Sequence, residues 1–153
     1  MTKLNHLLDS LESKIEWHDA IDTKVSQREV SWHMAHSLKV IAKVIEAVKN
    51  SNPQEYQWKF NFFRSLTYTL GFFPRGKGKA PKSVLPSDNI SIAMLQEEFI
   101  TVRKLILELE TQEAKSNFMH PYFGQLNLKE TKRFLALHTK HHLKIIEDII
   151  KIN

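Results

Sequence analysis

The chain of 153 residues contains no cysteine. This absence excludes disulfide bonds, thiolate metal ligands and a cysteine nucleophile. Any metal ion must therefore be held by imidazole nitrogens and carboxylate oxygens. Histidine, which occurs eight times, is the main candidate ligand.

Long apolar runs are also missing. No stretch reaches the roughly 18 apolar residues of a membrane span, and the first residues contain no apolar run like that of a signal peptide. We therefore expect a soluble cytoplasmic protein without a membrane partner. The length fits a single domain over residues 1–153.

No large surface of one charge sign is predicted. The chain has 22 Lys and Arg against 17 Asp and Glu, and most of the basic residues are interleaved with acidic ones. That pattern is typical of a solvated surface, so nucleic acid is not an expected partner. The one basic cluster, Arg75, Lys77, Lys79 and Lys82, lacks the P-loop spacing and a preceding strand. We interpret it as a mobile loop, with anion binding as the alternative.

A sustained two-residue alternation, the mark of half-buried strands, is absent, whereas apolar residues recur at three- and four-residue steps along most of the chain. The fold predicted from this spacing is all-α. We expect helices over residues 4–17, 26–50, 53–70, 92–109 and 127–152. The arrangement predicted is an up-and-down four-helix bundle of four main helices, with a long connection between the third and fourth.

Three local signals set the predicted boundaries. Residues 26–29 have the form of a capping box at the start of the second helix, and Asn127 to Glu130 cap the last one. Asn52 and Pro53 indicate the start of the third helix. The aromatic side chains of this third segment have mostly helical spacing, so we interpret them mainly as core and otherwise as a pocket wall. They are Tyr56, Phe60, Phe62, Phe63, Phe72 and Phe73.

The last helix carries the most informative pattern of the chain. His138 and His142 both fall within its apolar stripe, between Leu135 and Ile145. Histidines four residues apart project from successive turns, with Cβ atoms roughly 6 Å apart, so both rings can reach one metal ion. His141 lies to one side of the stripe, where we expect it to face solvent or to support a ligand.

A third ligand is expected from the second helix, which offers His33 and His36. His33 falls roughly 60° from the centre of the stripe of this helix and His36 roughly 120°, which favours His33. His36 stays as the alternate ligand or as a hydrogen-bonding support for one. Three protein ligands leave coordination positions open, as in catalytic rather than structural zinc sites. Thr139 stands where zinc proteases of the HExxH type have their glutamate, so a metalloprotease is not expected.

Together, the histidine in His33-Met34-Ala35 and the run from His138 to His142 resemble the DinB-like (DinB/YfiT) superfamily of metal-binding four-helix bundles. The residues His120-Pro121-Tyr122-Phe123-Gly124, which turn the chain before the last helix, further resemble an uncharacterised branch of that superfamily. The role of His120 is open between lining a pocket mouth and stabilising the turn.

This resemblance implies a divalent metal, zinc or nickel, held by His33, His138 and His142. It also implies an enzyme acting on a small-molecule substrate, either a transferase that uses a low-molecular-weight thiol as cosubstrate or a hydrolase. The lack of cysteine suits thiol chemistry, because the thiol would come from the cosubstrate. A non-catalytic metal- or ligand-binding bundle is the alternative, and a homodimer is a further expectation from the resemblance.

Overall fold

Five helices and one short hairpin make up the computed structural model, which describes residues 3–76, 80–87 and 89–151. The helices are α1 (Lys3–Glu12), α2 (Val30–Lys49), α3 (Phe62–Leu70), α4 (Ile92–Glu110) and α5 (Leu128–Ile150). Strands β1 (Asn117–His120) and β2 (Gly124–Asn127) pair antiparallel, with Phe118 opposite Leu126. The structure confirms that the fold is mostly helical. The predicted all-α class is not confirmed, because the chain also forms a small two-stranded sheet, and neither is the predicted up-and-down four-helix bundle. The hairpin was not predicted, because strands of four residues are too short to show a sustained alternation.

The core lies among α1, α2, α4 and α5. Helix α2 packs against α4 and α5, and α1 packs against the same two helices. Leu8, Ile41, Phe99 and Leu135, one from each of these helices, are completely buried. The long α2 and α5 therefore meet inside the protein, where their side chains are shielded from water.

The predicted cap of α5 is present, but that of α2 is not. The Asn127 side chain accepts a hydrogen bond from the Glu130 backbone N–H, and the Glu130 carboxylate accepts one from the Asn127 N–H. Helix α2 begins at Val30 rather than at residue 26. The Ser26 hydroxyl instead accepts a hydrogen bond from the Arg28 N–H, two residues on, which closes a turn and not a helix cap.

The third helix is shorter than predicted. Asn52 and Pro53 begin only a single turn of 3-10 helix, Pro53–Glu55, so the predicted continuous helix from residue 53 is wrong. The Asn61 side chain caps α3 by accepting a hydrogen bond from the Arg64 N–H. Gly71, with φ of 71° in the left-handed region, ends it.

The aromatic side chains around α3 are mostly exposed. Phe60, Phe62, Phe63 and Phe72 have 69%, 62%, 66% and 51% of their surface accessible, so their interpretation as core is wrong. Only Arg64 and Tyr68 are buried on this helix. Helix α3 has only nine residues and packs little against the other described helices, so most of its apolar side is left uncovered. Tyr56 and Phe73 are partly buried, and Phe73 packs against the core.

The connection between α3 and α4 is only partly described. Lys77 and Lys79 of the basic cluster, together with Asp88, lie outside the described residues, while Arg75 and Lys82 are exposed. A turn of 3-10 helix, Lys82–Val84, places Val84 against α2 in a buried position. The end of the predicted last helix, Ile152, also lies outside the described residues. Within the described ranges, no helix is both long and apolar enough to cross a membrane.

Candidate metal centre

Three histidine rings from two helices meet inside the protein. One nitrogen from each of His36, His138 and His142 lies within 4.8 Å of the other two. The ring centroids are 4.6 Å apart for His138 and His142, 4.8 Å for His36 and His142, and 5.2 Å for His36 and His138. We refer to these three residues as the histidine cluster.

The helices explain the cluster. His138 and His142 stand one turn apart on α5, as their spacing indicates, and α2 packs across this part of the structure with His36. Two nitrogens on one zinc ion lie about 3.4 Å apart, so the rings would have to draw together by up to about 1.4 Å around an ion. The fold therefore brings the three rings together, but their nitrogen atoms are farther apart than they would be around a bound ion.

The α2 member of the cluster is His36, the alternate ligand, and not the favoured His33. His33 Nδ1 lies 3.0 Å from Nδ1 of His142, and its Nε2 lies 2.9 Å from the Ser26 hydroxyl. Both nitrogens of His33 are thus engaged, and the residue contacts a candidate ligand rather than joining the cluster. The angle around the helix does not separate His33 from His36, because almost every residue from Val30 to Ile41 is buried. A helix that is buried on all sides has no single core face, so the angle of a residue from that face does not predict its position.

Hydrogen bonds orient two of the three rings. His36 Nδ1–H donates to the carbonyl of Val84 at 2.9 Å, which leaves the Nε2 lone pair of His36 available. The contact of His142 Nδ1 with His33 leaves Nε2 of His142 available as a ligand when Nδ1 is the donor. Bonds of this kind on the far nitrogen hold metal-ligating histidines in place in known metal sites.

His138 carries an unsatisfied polar atom. Its Nδ1 is buried and has no hydrogen-bond partner within the part of the chain that is described. A buried nitrogen without a partner is costly unless something else binds it. The residues present therefore fit a metal ion, which would bind imidazole lone pairs at this place.

Aromatic rings surround the histidine cluster. Trp32 stacks on His36 with centroids 5.0 Å apart and planes at 14°. Phe73 and Phe134 contact His138, with ring centroids at 6.3 and 5.7 Å. These rings limit access of water, which strengthens electrostatic interactions inside the site.

Burial keeps the histidines neutral. Loss of solvation lowers the pKa values of His36, His138 and His142 below the ordinary value of 6.5, and lowers the pKa of His33 to about 4. The rings also disfavour positive charge on one another. Neutral imidazole is the form that binds metal, so protons would compete little with an ion for these nitrogens at neutral pH.

His120 stabilises the turn of the hairpin. Its Nδ1 accepts hydrogen bonds from the backbone N–H groups of Tyr122 and Phe123, both at 3.1 Å. Its ring stacks on Phe123 at 4.4 Å, and burial lowers its pKa to about 4. Of the two roles left open by the sequence, the structure shows the turn-stabilising one.

His141 lies beside the cluster. Its ring is partly buried, and its centroid lies 5.1 Å from that of His142. Two further contributors were missed by the sequence reasoning. Trp32 could have been found, because it stands in the same histidine-rich turn as His33 and His36. The Val84 carbonyl could not, because it lies 48 residues from His36 in the chain and any residue has a carbonyl.

The comparisons with known proteins found no match. No family model matches the chain, and no curated protein or solved structure is significantly similar to it. What the structure defines is therefore a mostly helical protein with a three-histidine cluster. Membership of the DinB-like superfamily stays a prediction from the sequence motifs.

Proposed function

We propose that this protein is a metal-dependent enzyme that acts on a small molecule, with one divalent ion held by His36, His138 and His142. The observation that carries the proposal is the convergence of these three neutral, buried rings on one point. Zinc or nickel is the proposed ion, because imidazole suits both and the chain has no thiolate to offer a softer metal.

Two of the three ligands, His36 and His142, are supported by hydrogen bonds from other parts of the chain. The Val84 carbonyl accepts the Nδ1 proton of His36, so Nε2 is the nitrogen that would bind the ion. For His142 to bind through Nε2, its Nδ1 must carry the proton and donate it to His33 Nδ1. His33 then carries its own proton on Nε2 and donates to the Ser26 hydroxyl. A hydrogen-bonded chain from His142 through His33 to Ser26 therefore fixes the ligand's tautomer and orientation.

The number of protein ligands favours chemistry over a purely structural role. Structural zinc sites are closed by four protein ligands, whereas catalytic sites have three and keep a position for a reactant. A bound ion would supply Lewis-acid activation of a thiol or of water, as transfer or hydrolysis requires. The surrounding Trp32, Phe73 and Phe134 limit the access of water to the reactants. We favour thiol-dependent transfer, because the chain has no thiol of its own and the resemblance implies a thiol cosubstrate.

Cobalt substitution tests both the site and its open position. We expect the metal-free protein to take up about one Co²⁺ per chain with visible absorption of tetrahedral type. Addition of a low-molecular-weight thiol should change this spectrum, because a position on the ion is free to accept it. A spectrum that responds to neither thiol nor azide would indicate a closed site and so a non-catalytic binding protein. Failure to bind cobalt, zinc or nickel would overturn the proposal.

A further inference from the structure

A second feature lies next to the histidine cluster. A cavity of about 270 Å³ opens between the segment that follows α3, residues 71–75, and the middle of α5. Its volume is just below the range of about 300–1,000 Å³ found for small-molecule sites. The lining residues are Gly71, Phe72, Phe73, Pro74, Arg75, Leu137, Lys140, His141 and Lys144.

The cavity wall combines apolar rings with positive charge. Phe72, Phe73 and Leu137 supply apolar surface, and Arg75, Lys140 and Lys144 supply cationic groups. None of the described residues that line it is acidic. A site of this composition suits an anion that also carries an apolar group.

The two lysines on α5 differ from Arg75 in their ion pairing. Both also line a neighbouring groove together with Glu147. Arg75 pairs with Asp148, with 2.6 Å between Nη2 and Oδ2. Lys140 and Lys144, in contrast, form no ion pair within the described ranges, although they stand four residues apart on one helix face. Like charges at this spacing destabilise a helix. An anion bound between them would relieve that repulsion.

Two residues connect the cavity to the cluster. Phe73 and His141 line the cavity, and their rings also contact cluster members. Phe73 lies 6.3 Å from His138 and His141 lies 5.1 Å from His142, between ring centroids. A ligand in the cavity is therefore one side chain away from the proposed metal ion.

We infer that this cavity binds the anionic end of a small molecule, a carboxylate or a phosphate monoester, between Lys140 and Lys144. The apolar part of that molecule packs on Phe72 and Phe73. As an anion site the cavity stands by itself, while its role as the substrate pocket rests on the proposed function. The substrate class is thereby narrowed to small molecules that carry both an anionic group and an apolar group.

Titration of the full chain with simple probes, followed by NMR of backbone amides, tests the inference. Benzoate and phenyl phosphate carry the two anionic groups, and benzamide is the neutral counterpart of benzoate. We expect saturable shifts for the anions in residues 71–75 and 137–144, with benzamide binding at least about tenfold more weakly. The stronger binder of the two anions identifies which group the cavity prefers.

A matched pair of variants provides the control. Lys140→Ala combined with Lys144→Ala removes two positive charges from the cavity, and Lys104→Ala combined with Lys115→Ala removes two from exposed positions that do not line it. The first double variant should weaken benzoate about tenfold and the second should not change it. Equal weakening in both, or equal binding of benzoate and benzamide, would overturn the inference.

Different experimental results would overturn the metal proposal and the cavity inference. In protein treated with chelator, the benzoate shifts should persist, since the lysines do not depend on an ion. A chain that binds metal but shows no benzoate shifts would overturn only the cavity inference. A chain that binds benzoate in the cavity but takes up no metal would overturn only the proposed function.

Discussion

Where α2 meets α5, histidine and aromatic rings are buried on two long helices, whereas between residues 56 and 73 a similar density of aromatic rings is largely exposed. His36 is 4% exposed and Phe134 is also 4% exposed, but Phe63 on α3 is 66% exposed. Both regions have apolar residues at helical spacing. The difference lies in what covers them.

Helical spacing defines a face, and only a packed neighbour turns that face into core. Helix α5 has 23 residues and is packed by α1 and α2. Helix α3 has nine residues and is anchored by polar contacts: Arg64 donates to the carbonyl of Gln125, and the Tyr68 hydroxyl donates to the carbonyl of Glu130. The histidine cluster therefore lies between packed helices, whereas the aromatic segment around α3 lies outside them.

The largest difference between the two regions should appear in truncation of apolar side chains. Leu135 is fully buried on α5, so Leu135→Ala should reduce the free energy of unfolding by about 2–5 kcal/mol. Phe63→Ala on α3 removes a larger but exposed side chain and should change it by no more than about 0.5 kcal/mol. Urea unfolding of both variants measures the two values. Similar losses would show that the aromatic face is covered in solution, for instance by a second copy of the chain.

The anchoring of α3 provides the next test. Arg64 is 4% exposed, and its Nε lies 3.7 Å from a Glu130 carboxylate oxygen. Arg64→Ala would remove the cation beside that carboxylate and the side-chain donor to the carbonyls of Lys59 and Gln125, so we expect a loss of about 2–3 kcal/mol. Amide hydrogen exchange should rise in Phe62–Leu70 while that of the second half of α5 stays slow. Unchanged exchange in α3 would mean that its apolar contacts, and not Arg64, hold it.

A smaller effect concerns pH. The pKa of His120 is lowered from 6.5 to about 4, so the unfolded chain binds more protons than the folded one between these values. Stability should therefore be complete above about pH 6.5 and fall as the pH drops toward 4, with His120 contributing about 1–2 kcal/mol after allowance for its partial exposure.

His120→Asn isolates this contribution. Asparagine can still accept hydrogen bonds in the turn but does not titrate in this range. Urea unfolding of the metal-free wild type and variant at pH 7.5, 5.5 and 4.5 should show a shallower pH dependence in the variant. Parallel curves would contradict the lowered pKa.

Local signals were readable from the sequence, and long-range ones were not. The capping box at Asn127 and the facing of His138 and His142 depend on residues within one or two turns. The choice of His36 over His33 depends on the rotation of α2, which is set by neighbours on all its sides. The exposure of Phe62 and Phe63 depends on the absence of a packed neighbour over α3 within the described part of the chain, which no spacing reveals.

Metal content tests the central claim, that His36 completes a three-histidine site with His138 and His142. The wild type, His36→Ala and His33→Ala would be purified without an affinity tag, stripped with chelator, reloaded with zinc or nickel, and measured by elemental analysis and competitive titration. We expect about one ion per chain in the wild type, none in His36→Ala, and about one in His33→Ala with affinity reduced about 10–100-fold. Loss of the ion in His33→Ala with full, tight binding in His36→Ala would contradict the claim.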